Sequence, residues 1–281
     1  MRTMNYLTVL KHSKLILAFL LLIIFIAACS KDETKPSAGP TFPVSPEVPQ
    51  TLTDVDGNRY AVVQIGEQYW INENLRATRY NNGDPIPTGL PEHEWNNTHI
   101  SEVGAFIVYP HNEIDGIDSY DEMVSAYGVL YNYYATVDDR SLCPSGWRVT
   151  TDQDWATLEN FLRNAGHDGE EAKVLKSCRQ IGTPVGGSCN TTEHPRWEYH
   201  DSQFGTDLYG FSALPAGYYS LNGFGASSYP GYFWSSTSQQ PNTSYIRIIT
   251  YDSPSIQRAA HDKRVGFSVR CVRYRNNLND L

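Results

Sequence analysis

The chain has 281 residues, of which 22 are basic and 31 are acidic, so its formal net charge is −9 at neutral pH. Nucleic-acid binding depends on neutralising phosphates with basic side chains, so this balance excludes a typical nucleic-acid-binding protein. The length suffices for one sizeable domain with a full hydrophobic core. The chain contains 19 tyrosines, 6 tryptophans and 21 glycines, and residues of these types are common on surfaces that recognise ligands.

The first 28 residues have the pattern of an export signal. Residues 1–14 contain three Lys or Arg residues and no acid, and an uncharged apolar run follows from Leu15 to Ala28. This run is shorter than the roughly 20 apolar residues that a membrane-spanning helix needs. A cleaved signal peptide is therefore predicted over residues 1–28. Its removal would leave 19 basic and 31 acidic residues and a net charge of −12.

The cysteine that follows the apolar run is expected to carry lipid. Ile26-Ala27-Ala28-Cys29 resembles a bacterial lipobox, in which Cys29 would become the lipidated first residue of the mature protein. Two or more acyl chains hold a protein stably on a membrane. The alternative is an N-terminal anchor helix that ends in an incidental cysteine.

The next segment is predicted to hold the protein away from the membrane. Residues 30–33 (SKDE) resemble the acidic export signal of surface-exposed lipoproteins of the Bacteroidetes; the alternative is a polar tether facing the periplasm. Residues 34–50 contain five prolines and few large apolar side chains, so they cannot bury enough surface to fold. A disordered tether over residues 29–50 and an outer-membrane location on the cell surface are therefore expected.

The first part of the folded body contains a clear hairpin. In residues 55–75, a β-branched and aromatic run from Tyr60 to Ile65 is followed by a turn at Gly66 and a second run beginning at Tyr69. Residues 81–122 are rich in turn-forming residues and are predicted to be mostly loop. Residues 127–136 (YGVLYNYYAT) are strongly aromatic and are expected to be buried on at least one face.

The clearest helix follows residue 150. Thr150 or Thr151 can cap it, acidic residues occupy its first turn, and four apolar residues recur at helical spacing: Trp155, Leu158, Phe161 and Leu162. It is predicted to end near residues 164–166, and a shorter helix is predicted over residues 169–177. From Phe211 onward, aromatic and β-branched runs predict hairpins. The pattern as a whole indicates an α+β fold.

Six stretches occur in order along the chain: DVDGNRYAVVQIGEQYWINENLRATRYNNGDPIP, YGVLYNYYA, LCPSGWRVTTDQDWATLENFL, GFSALPAGYY, YFWSST and GFSVRCVR. Together they resemble the Fibrobacter succinogenes major paralogous domain, a family of secreted and lipid-anchored bacterial proteins, over Thr53–Tyr274. The second half also resembles, more distantly, the C-type-lectin-like fold of formylglycine-generating enzymes and retroelement-diversified receptors.

The resemblance implies one C-type-lectin-like α+β domain over residues 51–275, with a tail over residues 276–281. It implies mostly antiparallel strands, with one or two helices in the first half. It implies no defined reaction, and no cofactor is predicted.

Four cysteines remain after Cys29, and four cysteines in an exported protein allow three disulfide pairings. The ten-residue loop between Cys178 and Cys189 contains three glycines and a proline and can bring these two together. That would leave Cys143 with Cys271. The resemblance to the lectin-like fold, in which these two regions are neighbours, favours this pairing.

A catalytic role for Cys271 is the competing interpretation. Formylglycine-generating enzymes use a pair of cysteines near the corresponding C-terminal segment to bind copper. Here no cysteine lies between Cys189 and Cys271 or after Cys271, so that pair is missing. The chain also lacks an HExxH motif and a Gly-x-Ser-x-Gly elbow, and no catalytic residue is predicted.

Two patterns could suggest calcium. Residues 240–242 (QPN) resemble the carbohydrate-binding tripeptide of calcium-dependent lectins, but the partner Trp-Asn-Asp motif is absent. An acidic cluster lies in residues 115–122, but its spacing does not fit the twelve-residue calcium loop. A plain loop and a solvated acidic loop are expected, and no metal site is predicted.

An aromatic, Gly-rich face is the remaining candidate site. In the diversified lectin-like receptors, the corresponding region contacts ligand; here it contains Tyr218, Tyr219, Asn222, Phe224, Tyr229 and Tyr232. The alternative is that several of these tyrosines only pack the hairpin, while Trp234 is expected in the core. The expected function is non-enzymatic recognition of a glycan or protein ligand. A formylglycine-generating-type oxidase and a structural or assembly subunit of an outer-membrane or fimbrial complex are the alternatives.

Overall fold

The structure is a computed structural model that describes residues 50–225 and 230–275. Several predictions concern residues outside these ranges: the signal peptide (1–28), Cys29, the tether as far as residue 49, Tyr229 and the tail (276–281).

Short helices and strands alternate along the described residues. The strands are β1 (Thr51–Thr53), β2 (Arg59–Ile65), β3 (Gln68–Ile71), β4 (Phe106–Ile107), β5 (Leu130–Tyr131), β6 (Arg148–Val149), β7 (Tyr218–Ser220), β8 (Gly223–Gly225), β9 (Pro230–Gln240), β10 (Thr243–Thr250), β11 (Gln257–Asp262) and β12 (Cys271–Tyr274). The helices are α1 (Glu92–Asn96), α2 (Thr98–Ser101), α3 (Tyr120–Tyr127), α4 (Tyr133–Thr136), α5 (Asp152–Leu162) and α6 (Glu171–Leu175).

Four antiparallel sheets organise these strands. The largest has the order β1-β2-β3-β12-β6, and a three-stranded sheet has the order β11-β10-β9. Two-stranded pairs join β4 to β5 and β7 to β8. The α+β class with mostly antiparallel strands is thus confirmed, whereas the C-type-lectin-like arrangement stays a prediction. None of the helices in the described residues has the length and apolar character needed to cross a bilayer.

The two best-defined local predictions are confirmed in their main features. Strands β2 and β3 form the predicted hairpin, turning at Gly66 and pairing Val63 with Trp70. Helix α5 is capped by Thr151, whose hydroxyl accepts the amide of Asp154 while the Asp154 carboxylate accepts the amide of Thr151. This reciprocal capping box satisfies amides that a helix N-terminus leaves unpaired.

One member of the apolar stripe predicted for α5 was placed wrongly. Trp155, Leu158 and Leu162 are buried, but Phe161 is 36 % exposed. Its ring packs edge-on against Tyr209 instead of entering the core. Helix α5 ends at Leu162, and a π-helical turn over Arg163–His167 follows, close to the predicted end.

The segment predicted to be mostly loop contains more regular structure than expected. Helices α1 and α2, strand β4 and the start of α3 lie within residues 81–122. These elements are short, and α1 buries only Trp95. The first half therefore contains more helices than the one or two that were predicted. Strand β11 was also missed, because its sequence (QRAAHD) is polar and lacks β-branched residues.

Candidate functional site

The three-stranded sheet has two faces with different surroundings. Phe233 of β9 lies opposite Arg247 of β10, and these side chains point towards α5. The guanidinium of Arg247 is almost fully buried; its Nη1 is 2.7 Å from Asp152 Oδ1 and its Nε is 2.6 Å from Glu159 Oε1. Helix α5 therefore covers this face of the sheet around Phe233 and Arg247.

The opposite face is only partly covered. Side chains alternate along a strand, so Tyr232 of β9 and Ile248 of β10, which lie opposite each other, share this face. Ala259 and His261 of β11 continue it, and Tyr218 of β7 packs beside it. His261 is exposed. The other four residues are half-buried: Tyr218, Tyr232, Ile248 and Ala259. These five residues (Tyr218, Tyr232, Ile248, Ala259 and His261) are called the tyrosine face below.

Ring contacts hold the tyrosine face in place. Tyr232 stacks on the fully buried Phe267, with ring centroids 5.0 Å apart and planes 22° apart. Tyr218 meets Tyr232 edge-on at 5.3 Å, and His261 meets Phe267 edge-on at 5.3 Å. Such contacts favour fixed ring positions. The two tyrosine rings are therefore presented to solvent on a rigid base.

A glycine allows Tyr218 to take its position. Tyr218 pairs with Gly225 across the β7–β8 hairpin, and a Cβ atom on Gly225 would lie 2.6 Å from Tyr218 Cζ. Any larger residue at position 225 would displace the Tyr218 ring. The Gly-rich character of this hairpin is thus coupled to the shape of the tyrosine face.

The tyrosine face is uncharged at neutral pH. Although the residue is exposed as a whole, packing of the His261 ring against Phe267 partly desolvates the imidazole and lowers its pKa from its ordinary value near 6.5. Burial also raises the pKa of the Tyr232 hydroxyl. The face therefore offers ring surfaces, hydroxyl groups and a neutral imidazole rather than charge.

The structure places the five described ligand-binding candidates in three different settings. Tyr218 and Tyr232 lie on the tyrosine face, but Tyr219 is buried and its ring meets Trp95 edge-on at 5.1 Å. Phe224 is half-buried against Tyr219, with ring centroids 4.8 Å apart. These two rings pack the hairpin onto the domain. Asn222 is exposed in the β7–β8 turn, where its amide is bonded to Ser220 Oγ.

Three residues of the tyrosine face were not found from the sequence. Ile248 and Ala259 lie in strands whose faces depend on the register between β9, β10 and β11. The alternation in SYIRIITYD was a usable signal for Ile248. Strand β11 was not predicted, so Ala259 and His261 had no sequence signal that would place them beside Tyr232.

The four cysteines of the described residues form two disulfides. Cys143 is bonded to Cys271 and Cys178 to Cys189, the pairing that the sequence analysis favours. Cys271 is fully buried on β12, opposite Val149. Its sulfur is bonded to another sulfur, so it does not offer the thiolate that a copper-dependent oxidase uses.

The two segments that could suggest calcium binding, residues 240–242 and 115–122, have structural roles. Pro241 and Asn242 form the turn between β9 and β10. In the acidic cluster, Glu122 lies in the first turn of α3 and its carboxylate accepts the amide of Asp118 at 2.7 Å, while Asp115 lies in the preceding loop. Across the described ranges, no three His, Cys, Asp or Glu side chains are grouped so as to hold a metal ion.

Comparison with known proteins gives one match. A family model described as the Fibrobacter succinogenes major domain matches residues 63–273. No curated protein and no solved structure matches the chain.

Proposed function

Because the chain belongs to the Fibrobacter succinogenes major domain family, we propose that it is a lipid-anchored recognition protein of the outer membrane. Its domain binds a ligand at the cell surface and carries out no reaction. The ligand contacts the tyrosine face.

The observation that carries this proposal is the open, aromatic face of the three-stranded sheet. Half-buried apolar residues on a monomer surface are common singly, but a contiguous group of them is typical of an interaction site. Tyr218, Tyr232, Ile248 and Ala259 form such a group, and buried Phe267 holds one of its rings in place. Because this ring is already fixed, less side-chain entropy is lost when a ligand binds.

A glycan fits this face best. Tyrosine rings offer a flat apolar surface and a hydroxyl group, which match the two kinds of surface on a sugar ring. The face carries no charge at neutral pH, so a neutral glycan needs no compensating ion. A protein ligand is the alternative that the binding experiment distinguishes.

Two neighbouring alanines of β11 provide a matched test of the tyrosine face. Ala259 lies on the face, whereas the exposed Ala260 points to the other side of the strand. The purified mature protein, in a detergent without sugar groups, would be applied to an array of neutral and acidic oligosaccharides. We expect Ala259→Glu to abolish binding, because it places a carboxylate on the uncharged face, and Ala260→Glu to bind as the unchanged protein does.

The result of the array decides between the proposals. Equal binding by both glutamate variants would place the glycan site away from the tyrosine face. If no glycan is bound, chemical cross-linking on intact cells, compared between the same two variants, tests the protein-ligand alternative. A cross-linked partner lost only in Ala259→Glu would identify the face as a protein-binding surface.

The anchor is tested separately. We expect Cys29→Ser to remove the acylated cysteine and to move the protein from the membrane fraction to the soluble fraction of disrupted cells. Protease treatment of intact cells should degrade the unchanged protein if it is displayed outside. Its complete protection would instead indicate the periplasmic side.

The non-enzymatic part of the proposal is supported by the state of the cysteines. Both Cys143 and Cys271 are buried and bonded to each other, so neither is an accessible nucleophile. Copper analysis of the purified protein, together with alkylation without a reductant, tests this part. A bound copper ion or an alkylated Cys271 would favour the oxidase alternative.

A further inference from the structure

A small polar pocket lies at one end of the three-stranded sheet, apart from the tyrosine face. It has a volume of about 100 Å³ and is lined by His99, Tyr134, Asn242, Asp262 and Arg264. The amide of Lys263 donates to the carbonyl of Asn242 at 3.0 Å, which holds the β9–β10 turn beside the end of β11. Asp262 and His261 are adjacent in sequence, so their side chains lie on opposite faces of β11.

One wall of the pocket carries a tyrosine hydroxyl group. The Tyr134 residue is only 6 % exposed as a whole, but its hydroxyl oxygen is not one of the fully buried atoms that lack a partner, and it reaches solvent at the pocket. The neighbouring Tyr133 differs, because its hydroxyl donates to the carbonyl of Ser236 at 3.0 Å. The Tyr134 hydroxyl is therefore available to water or to a ligand in the pocket.

The charges in the pocket already balance each other. Asp262 and Arg264 form a two-pronged ion pair, with Oδ1 accepting from Nε at 2.9 Å and Oδ2 accepting from Nη2 at 2.6 Å. The amide of Arg264 also donates to Asp262 Oδ1. A charged ligand would therefore find no unpaired opposite charge on these two residues, and it would lose its hydration on entering.

The remaining hydrogen-bonding groups in the pocket include both donors and acceptors. The Tyr134 hydroxyl can donate and accept, the exposed Asn242 side chain carries an amide donor and a carbonyl acceptor, and the Asp262 carboxylate retains acceptor sites. A ligand that satisfies such a set must itself both donate and accept. Hydroxyl groups do this, and the pocket has room for several water molecules or for two adjacent hydroxyls on one edge of a sugar ring.

We propose that this pocket binds the hydroxyl-bearing edge of an uncharged sugar residue without calcium. The sugar edge replaces pocket water as the hydrogen-bond partner of the Tyr134 hydroxyl. The site is separate from the tyrosine face, so it stands whether or not that face binds a ligand.

Ligand-observed NMR on the mature protein, in a detergent without sugar groups, tests this site. The probes are the methyl glycosides of glucose, galactose, mannose and N-acetylglucosamine, with glucuronate as the charged comparison. We expect at least one neutral glycoside to bind with saturation in the millimolar range. Tyr134→Phe should weaken this binding about five-fold, because it removes one hydrogen bond. Asn242→Ala, on the exposed turn, should weaken it similarly.

The controls separate the pocket from the rest of the molecule. Ala259→Glu removes the tyrosine face as a second sugar site, so the pocket variants are compared in that background; there Tyr133→Phe, which removes the hydroxyl that is bonded to Ser236, should not change the affinity. EDTA should also have no effect. The proposal is overturned if no neutral glycoside binds, if only glucuronate binds, if EDTA abolishes binding, or if Tyr134→Phe binds as tightly as the unchanged protein. Loss of binding in Ala259→Glu alone would assign the sugar to the tyrosine face.

Discussion

The five-stranded sheet and the apolar residues packed on it are called the sheet core below. There, Cys143 and Cys271 are buried among apolar side chains such as Ile71, Val149 and Val269. In residues 176–217, called the loop segment below, the chain has no α-helix or β-strand, only a 3₁₀ turn at Gly187–Cys189. Both parts contain a disulfide. In the core the disulfide joins elements that already pack together, whereas in the loop segment Cys178 and Cys189 are half-buried and close a short loop.

Buried polar side chains contribute strongly to the loop segment, beside core residues such as Phe211. The Lys176 side chain is fully buried, and its Nζ lies 2.5–3.1 Å from four backbone carbonyl oxygens, those of Gln203, Thr250, Tyr251 and Ser253. Gln180 is also buried and donates to the carbonyl of His200 at 2.8 Å. Trp197 supplies a buried ring, whose Nε1 donates to the carbonyl of Ala213.

The two regions satisfy their backbone hydrogen-bonding groups in different ways. In the sheet core, carbonyl and amide groups pair between strands, and apolar burial supplies the stabilisation. In the loop segment the backbone pairs through isolated bridges, such as that between Lys176 and Ala213, so long side chains bond to several of the remaining carbonyls. Gly205 assists, since a Cβ atom there would lie 2.2 Å from the carbonyl oxygen of Ser177. The loop segment should therefore depend on a few individual side chains.

Removing the core disulfide should have the largest effect. Cys143 and Cys271 are 128 residues apart, and the chain-entropy account gives about 5 kcal/mol for a closed loop of this length. We expect the double substitution Cys143→Ala/Cys271→Ala to lower the free energy of unfolding by about that amount. Urea unfolding followed by tryptophan fluorescence measures it. A loss below about 2 kcal/mol would mean that core packing alone fixes these elements.

The second disulfide should contribute less. Cys178 and Cys189 are 11 residues apart, which corresponds to about 3 kcal/mol in the same account. We expect Cys178→Ala/Cys189→Ala to be destabilised by that amount at most. Hydrogen exchange should increase in the loop segment and remain unchanged in β3 and β12. Exchange that increases equally in both parts would contradict the independence of the two regions.

The Lys176 side chain should contribute nearly as much to the free energy of unfolding as the disulfide of the loop segment. Lys176→Met keeps the apolar stem but removes the ammonium group, leaving the buried carbonyls without a donor. We expect a loss of about 2–3 kcal/mol in the free energy of unfolding. Lys173→Met is the matched control, since Lys173 makes a surface ion pair with Glu170, and such pairs contribute less than about 1 kcal/mol. Equal losses in the two variants would contradict the role of Lys176.

The effect of Lys176 should also depend on pH. Burial lowers the pKa of Lys176 to about 7, from 10.5 in the unfolded chain. Below pH 7 both states carry the proton, so this group gives no pH dependence. Above pH 7 the unfolded chain binds more protons, and the free energy of unfolding should rise with pH. The difference between the unchanged protein and Lys176→Met should therefore be larger at pH 8.5 than at pH 6; a constant difference would contradict this.

Sequence patterns predicted the core better than the loop segment or the tyrosine face. The β2–β3 hairpin and the Thr151 cap depend on residues close in sequence, and local turn and capping rules describe them. The position of Lys176 depends on carbonyls as far as 77 residues away, which no local pattern contains. Ala259 and His261 reach the tyrosine face through strand register, and β11 lacks the residue types that mark strands.

The smallest predicted effect is at the cap of α5. This helix packs Trp155, Leu158 and Leu162 into the core, so its position should depend more on apolar burial than on its cap. We expect Thr151→Ala to cost only about 1 kcal/mol, from the lost capping bonds with Asp154.

Thr157→Ala, in the middle of the same helix, is the control and should be neutral or slightly stabilising, because alanine is the better helix former. If Thr151→Ala costs as much as Lys176→Met, single polar side chains govern the core as strongly as the loop segment. The two regions would then differ in secondary structure but not in what stabilises them.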